Sequence, residues 1–200
     1  MHIILASGSP RRKEILSQIG VTFTVQPAKG EERITKQIPE EVVTELSAQK
    51  AAEVAASAGE DTLVIGADTI VALEGEILGK PKDQEDAVRM LTRLAGRTHQ
   101  VYTGVTWCRL EGGTKTSKTF TDCTEVEIYP MTEQEIRDYV ETGEPLDKAG
   151  AYAVQGLFAA YVKRLSGDFY NVMGLPVAKL VQELKAEGIS LPSGGTGHDL

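Results

Sequence analysis

Residues 62–73, TLVIGADTIVAL, are an apolar run carrying one carboxylate near its middle. The run reads as a long strand interrupted at Gly66 that turns at EGE into a short partner, EILGK. A carboxylate inside such a strand is costly unless it is paired, hydrogen-bonded or bound to a metal. Asp68 therefore asks for a partner elsewhere in the chain, or else it is a turn residue at a bend after Gly66.

The flanking segments limit the architecture. HIILA is a buried strand, PRRKEILSQIG a helix with Ser9 as N-cap, Pro10 at its first position and Gly20 as its stop, and VTFTV a second strand. A long helix is expected from Pro39 to Gly59, with Pro39, Glu40 and Glu41 in its first turn. Asp83 caps another, with Ala87, Met90, Leu91 and Leu94 as its apolar positions and Gly96 as its end. HQVYTGVTWCRL and KTFTDCTEVEIY then pair as long antiparallel strands about Gly112 and Gly113, a register that sets Cys108 opposite Ser117 rather than Cys123. Thr132 and Glu135 form a capping box for a helix closed by Gly143. After EPLDKAGAY, strands are expected around FAAYVKRL and FYNVMG, joined at SGD, and then a last helix from Pro176 to Gly188. The fold class is mixed α/β: a mixed sheet flanked by helices, α/β in the first part and antiparallel in the second. Residues 1–189 are expected to form one domain of two lobes, with 190–200 a frayed tail.

Composition excludes several functions. A net charge of -8 argues against gripping nucleic acid or anionic membranes with the whole surface, so a phosphate-bearing partner must be held by a local basic cluster, which fits small-molecule phosphates better than polymers. There is no apolar run of membrane-spanning length and no basic signal-peptide start, so a cytoplasmic location is expected. Two cysteines and three scattered histidines give neither a disulfide framework nor a zinc site. Any metal would be a hard cation on carboxylate and phosphate oxygens.

Arg11 and Arg12 oppose the usual charge preference of a helix N-terminus, at a cost of about 0.3–1 kcal/mol each. Either they point to solvent, or an anion reverses the sign by binding helix amides, Ser7 or Ser9 and an arginine fork. Lys50 is the second misfit. On a helical wheel Val42, Leu46 and Val54 fall at about 0°, 40° and 120° and Lys50 at about 80°, inside the apolar arc. It either snorkels or reaches something negative. Lys80 in GKP, with Glu31 and Glu32 in KGEE, completes the set. Cations neutralise phosphate oxygens, while carboxylates hold a divalent ion and position water, which outlines a hydrolytic phosphate site.

ILASGSPRRKEIL, the EE at Glu31 and Glu32, AQKA around Lys50, IGADTIV, LGKP and EPLDKAGAYAVQG resemble, in this order and over residues 2–185, the motifs of the Maf family, once described as septum-formation inhibitors. The resemblance implies an elongated mixed sheet with a cleft between two lobes, related to inosine triphosphate pyrophosphatases. It implies a nucleoside triphosphate pyrophosphatase that uses a divalent cation, Mg²⁺ or Mn²⁺, and a possible homodimer. On its motifs Asp68 is the catalytic proton acceptor, and Arg12, Thr69 and Gln155 match the dTTP and UTP branch. Ser7, Ser9, Arg11, Lys50, Lys80, Asp147 and Lys148 match cleft positions, and Glu32 and Asp68 are the metal candidates. The residues leave open whether Asp68 serves as base, ligand or both. The competing functions are a purine house-cleaning pyrophosphatase and a non-catalytic nucleotide-binding regulator of division.

Overall fold

The computed structural model describes residues 1–191. Among the described residues seven strands form a single mixed sheet: β1 (His2–Leu5), β2 (Thr24–Val25), β3 (Thr62–Leu73), β4 (Glu76–Leu78), β5 (Thr98–Glu111), β6 (Thr114–Ile128) and β7 (Val162–Ser166). Their order is β2-β1-β3-β5-β6-β7, with β4 pairing with β3 beside that path. β1 runs parallel to β2 and β3, and every later pairing is antiparallel. The β5–β6 register sets Cys108 against Ser117 as expected, and both cysteines are free.

Alternation along β3 divides the core. Leu63, Ile65 and Leu73 pack with Ile15 and Leu16 of helix α1 (Pro10–Gln18), Leu91 of α3 (Gln84–Leu94) and Ile136 of α4 (Glu133–Glu141). Val64 faces the other way, onto Ala51, Val54 and Ala55 of α2 (Pro39–Ala55). Thr132 and Glu135 make the capping box, and Asp83 accepts from the Asp86 amide at 2.8 Å.

Gly66 does not interrupt β3. The strand runs through it, and its missing side chain admits α2: a Cβ there would lie 2.7 Å from the Ala51 nitrogen and 2.8 Å from the Ser47 oxygen. Gly104 on β5 does the same, since a Cβ there would overlap the Val43 carbonyl. Asp68 pairs in register with Gly104 and follows Gly66 by two residues, so the helix backbone touches the sheet on both sides of the carboxylate.

Three other expectations change. VTFTV contributes only Thr24 and Val25, an edge strand of two residues held by β1. Leu157–Tyr161 is a 3₁₀ segment, and the strand begins at Val162. FYNVM is a helix, α5 (Phe169–Met173): Asp168 accepts from the Tyr170 amide at 2.8 Å, and Gly174 ends the turn with φ +116. These local caps outweigh the strand propensity of aromatic and β-branched residues. Of the expected tail, residues 192–200 lie outside the described ones, while Leu191 still packs against the core behind the last helix, α6 (Val177–Ala186). Among the described residues no helix is long and apolar enough to cross a membrane.

His99 is fully buried, with Nε2 2.8 Å from the Tyr152 hydroxyl, and burial pushes its imidazole down to about 4. It is a neutral core group at neutral pH.

Candidate active site

The site forms where the sheet is incomplete. β1 pairs with β3 only as far as Leu5 with Ile65, and β4 begins its pairing at Val71 with Leu78. Residues 66–70 therefore bond to β5 along one edge and leave the other open. A cleft of about 730 Å³ opens at this gap, lined by Ser7, Ser9, Arg11, Arg12, Glu32, Lys50, Asp68, Thr69, Lys80, Asp147, Lys148 and Gln155. Of the charged candidates named from the sequence, Glu31 is not among the lining residues; its neighbour Glu32 is. Because side chains alternate, Asp68 faces α2 and Thr69 faces α1 from the same stretch of open edge.

Lys50 is the misfit of α2 because it serves this cleft. Its ammonium lies 2.5 Å from Asp68 Oδ1 and 2.8 Å from Glu32 Oε1. Asp68 and Lys50 retain only 13% and 19% side-chain exposure, so their charges are substantially withdrawn from water. Lys50 is thus the partner that Asp68 requires, and the close approach of α2 over Gly66 brings it there.

On the opposite face Arg12 is held rather than loose. Its guanidinium donates to the Gly174 carbonyl at 2.7 Å, to Ser7 Oγ at 3.0 Å and to Thr69 Oγ1 at 3.0 Å. Thr103 donates to the Asn171 carbonyl at 2.9 Å, so Thr69 donates in turn to Thr103 at 2.9 Å. That chain runs in one direction and leaves Thr69 only acceptor capacity toward the cleft. Burial pulls the Arg12 guanidinium below its ordinary value, and the charge of Asp68 opposes the shift. With three of its five donors fixed on protein, Arg12 offers a preorganised remainder.

Ser9 occupies the N-cap position of α1, but its side chain makes no capping bond; the Ser7 hydroxyl instead accepts from the Ser9 amide at 3.3 Å. Lys80 is exposed at the rim. Gly150 binds the Gly79 carbonyl through its amide at 3.0 Å and has φ +67, with no room for a Cβ against Val71. This contact brings the DKAGAY segment to the cleft beside Lys80. Lys148 pairs with Asp147 and holds its carboxyl below the usual carboxylate range. Gln155 is exposed, and the turn after it is fastened by Glu144, whose carboxylate accepts from the Leu157 amide at 3.0 Å and the Tyr139 hydroxyl at 2.8 Å.

Among the described residues no three histidine, cysteine or carboxylate side chains converge as an all-protein metal cage would require. The pair Glu32 and Asp68 does converge, since both contact the same ammonium. Two neighbouring hard carboxylates are the kind of donors that could hold a divalent cation, with further oxygen ligands coming from outside the protein.

Two features of the cleft escape sequence reasoning. Val42 and Leu46, legible as the apolar arc of α2, also line the cleft with Ile70 and Ile77. Glu45, Gln49 and Glu53 fasten the loop that carries Glu32, and their spacing of four on α2 is the signal that could have revealed them.

A family model described as Maf-like protein matches residues 2–187. The dTTP/UTP pyrophosphatase of Agathobacter rectalis is 53% identical, with 95% of this chain and 99% of that protein covered. Proteins of the same name from Lachnoclostridium phytofermentans and Carboxydothermus hydrogenoformans are 52% and 47% identical, covering 95% and 94% of this chain and 97% and 100% of their own. A solved HAM1 protein from Coxiella burnetii shares the fold, with a TM-score of 0.53, 12% identity, and 93% of this chain and 99% of that one covered. With its motifs gathered around one cleft and the family match spanning nearly the whole described length, the chain belongs to the Maf family.

Proposed function

We propose that this protein is a nucleoside triphosphate pyrophosphatase that hydrolyses dTTP and UTP to the nucleoside monophosphate and pyrophosphate. The observation that carries the reading is the convergence of Glu32 and Asp68 on Lys50 at the open edge of β3. The names of the relatives support the same substrates.

In this reading Asp68 accepts the proton of a water that attacks the α-phosphorus. A new O–P bond forms there, and the bridging bond to the β-phosphate breaks as pyrophosphate leaves. Lys50 holds the Asp68 carboxylate toward the cleft, and its positive charge compensates the two acids. Glu32 and Asp68 would hold a divalent cation; when bound, it draws charge from the phosphate oxygens. Arg12 presents its remaining donors to the phosphates, and Arg11, Lys80 and Lys148 line the same cleft with further positive charge. The amides opening α1 and the Ser7–Ser9 turn favour anionic oxygen there.

The amide of Gln155 carries both a donor and an acceptor, which complements a carbonyl and the N3–H of uracil or thymine. Glu144 supports this assignment by fixing the backbone just beyond Gln155. Cytosine reverses part of that pattern, and because a glutamine amide can rotate to match either edge, exclusion of CTP also depends on what holds the amide.

A panel of triphosphates assayed for pyrophosphate release with Mg²⁺ and with Mn²⁺ tests the reading. dTTP and UTP are expected to turn over at least about 10-fold more efficiently than CTP, GTP and ITP. Faster release from GTP or ITP would overturn the pyrimidine assignment.

A further inference from the structure

The loop of residues 26–38 carries Glu32 without regular secondary structure of its own. Its placement comes from α2. Glu53 accepts from the Lys29 amide at 2.7 Å and from the Gly30 amide at 3.0 Å. One turn earlier, Gln49 accepts from the Arg33 amide at 3.0 Å and donates to the Arg33 carbonyl at 2.6 Å. One turn earlier again, Glu45 accepts from the Thr35 amide at 2.8 Å and the Thr35 hydroxyl at 2.6 Å. Three side chains at spacing four therefore grip the loop at three successive points.

Glu32 sits between the first two anchors, with Gly30 held on one side and Arg33 on the other. Its own carboxylate turns inward to Lys50, the neighbour of Gln49 on the same helix. One rigid element thus sets both the loop and the cation that Glu32 must meet. The fit at the Glu53 rung is close, since a Cβ on Gly30 would lie 2.7 Å from Glu53 Oε2.

We infer that Glu45, Gln49 and Glu53 are positioning residues that clamp the loop onto α2 and so set the Glu32 carboxylate opposite Asp68. The inference rests on the reading of Glu32 as a ligand for the divalent cation. None of the three lines the cleft, so they act through Glu32. Supporting groups behind metal ligands typically change metal affinity by about 10- to 100-fold when removed.

The experiment compares Gln49→Ala, Glu53→Ala, Glu32→Ala and the Gln49→Ala/Glu32→Ala pair in the full-length protein. It reads three quantities: Mn²⁺ binding to the protein without nucleotide, followed by the resonance of free Mn²⁺; amide exchange at residues 29–35; and kcat against Mg²⁺ concentration. Gln49→Ala and Glu53→Ala are expected to speed exchange at Gly30 and Arg33, weaken Mn²⁺ binding by about 10-fold, and raise the Mg²⁺ concentration for half-maximal rate by a similar factor. kcat at saturating Mg²⁺ should stay within about threefold. Adding Gln49→Ala to Glu32→Ala should change Mn²⁺ binding no further, because the clamp then has nothing to position. Gln49→Glu, which keeps the acceptor and loses the donor, should fall between wild type and Gln49→Ala and guards against a misfolded variant.

If Glu32→Ala weakens Mn²⁺ binding while Gln49→Ala and Glu53→Ala leave it unchanged, the clamp is overturned and the role of Glu32 stands. If Glu32→Ala itself leaves Mn²⁺ binding unchanged, the role of Glu32 falls and the inference falls with it. Unchanged exchange at Gly30 and Arg33 in both single variants also overturns it.

Discussion

Asp68→Asn should lower kcat for dTTP by about 10²- to 10⁴-fold, the usual range for loss of a general base. The change keeps the shape of the side chain and one carbonyl oxygen while removing proton affinity. Lys50 retains Glu32 at 2.8 Å, so the ammonium is not stranded in the cleft by the substitution. The melting temperature should accordingly move by only a few degrees, in contrast to the rate. KM should change less than kcat, because the arginines and lysines around the phosphates are untouched. Turnover above about a tenth of wild type, in protein shown to be folded, would remove Asp68 from the role of base.

The second large effect concerns the helix that delivers Lys50. Gly104→Ala puts a methyl group into the space of the Val43 carbonyl, a backbone atom that no rotamer change can move aside. α2 must lift from β5, and in doing so it loses contact around the buried hydrogen bond of 3.0 Å between Ser47 and Thr106. Overpacking of this kind costs about 1–3 kcal/mol or more. At about 2–4 °C per kcal/mol for a chain of this size, the melting temperature should fall by roughly 2–12 °C. Activity measured well below the new midpoint should also fall, since Lys50 moves with the helix while Asp68 stays on β3. Gly59→Ala is the control, as a Cβ there meets nothing within 4 Å; it should shift stability by no more than about 0.5 kcal/mol. Equal melting temperatures for the two variants would refute the close-approach account.

Elements defined by local chemistry were legible in the sequence. The Gly112–Gly113 turn fixes the β5–β6 register, and Thr132 with Glu135 closes its box within a few residues of itself. α5 was misread although its signals are also local: Asp168 as cap and Gly174 as stop bracket FYNVM, whose aromatic and branched residues suggest a strand. Gly66 was misread for a different reason. Its requirement comes from Ser47 and Ala51, a neighbour brought by the tertiary fold, and nothing local distinguishes an interruption from a close approach.

The site followed the same division. Asp68 and Lys50 stood out because each violates the pattern of its own element, and each proves to be the other's partner. Arg12 was legible as a misfit in its helix, but its bonds to Ser7, Thr69 and Gly174 span most of the chain. The clamp of Glu45, Gln49 and Glu53 was hidden because polar residues on a helix surface match the ordinary solvent-facing pattern.

The most direct measurement of the central claim is a single-turnover hydrolysis of dTTP in ¹⁸O-water, with the isotope followed into both products. Attack on the α-phosphorus by a water activated at Asp68 predicts one ¹⁸O atom in thymidine monophosphate and none in pyrophosphate. Label in the pyrophosphate, or orthophosphate released in its place, would contradict it.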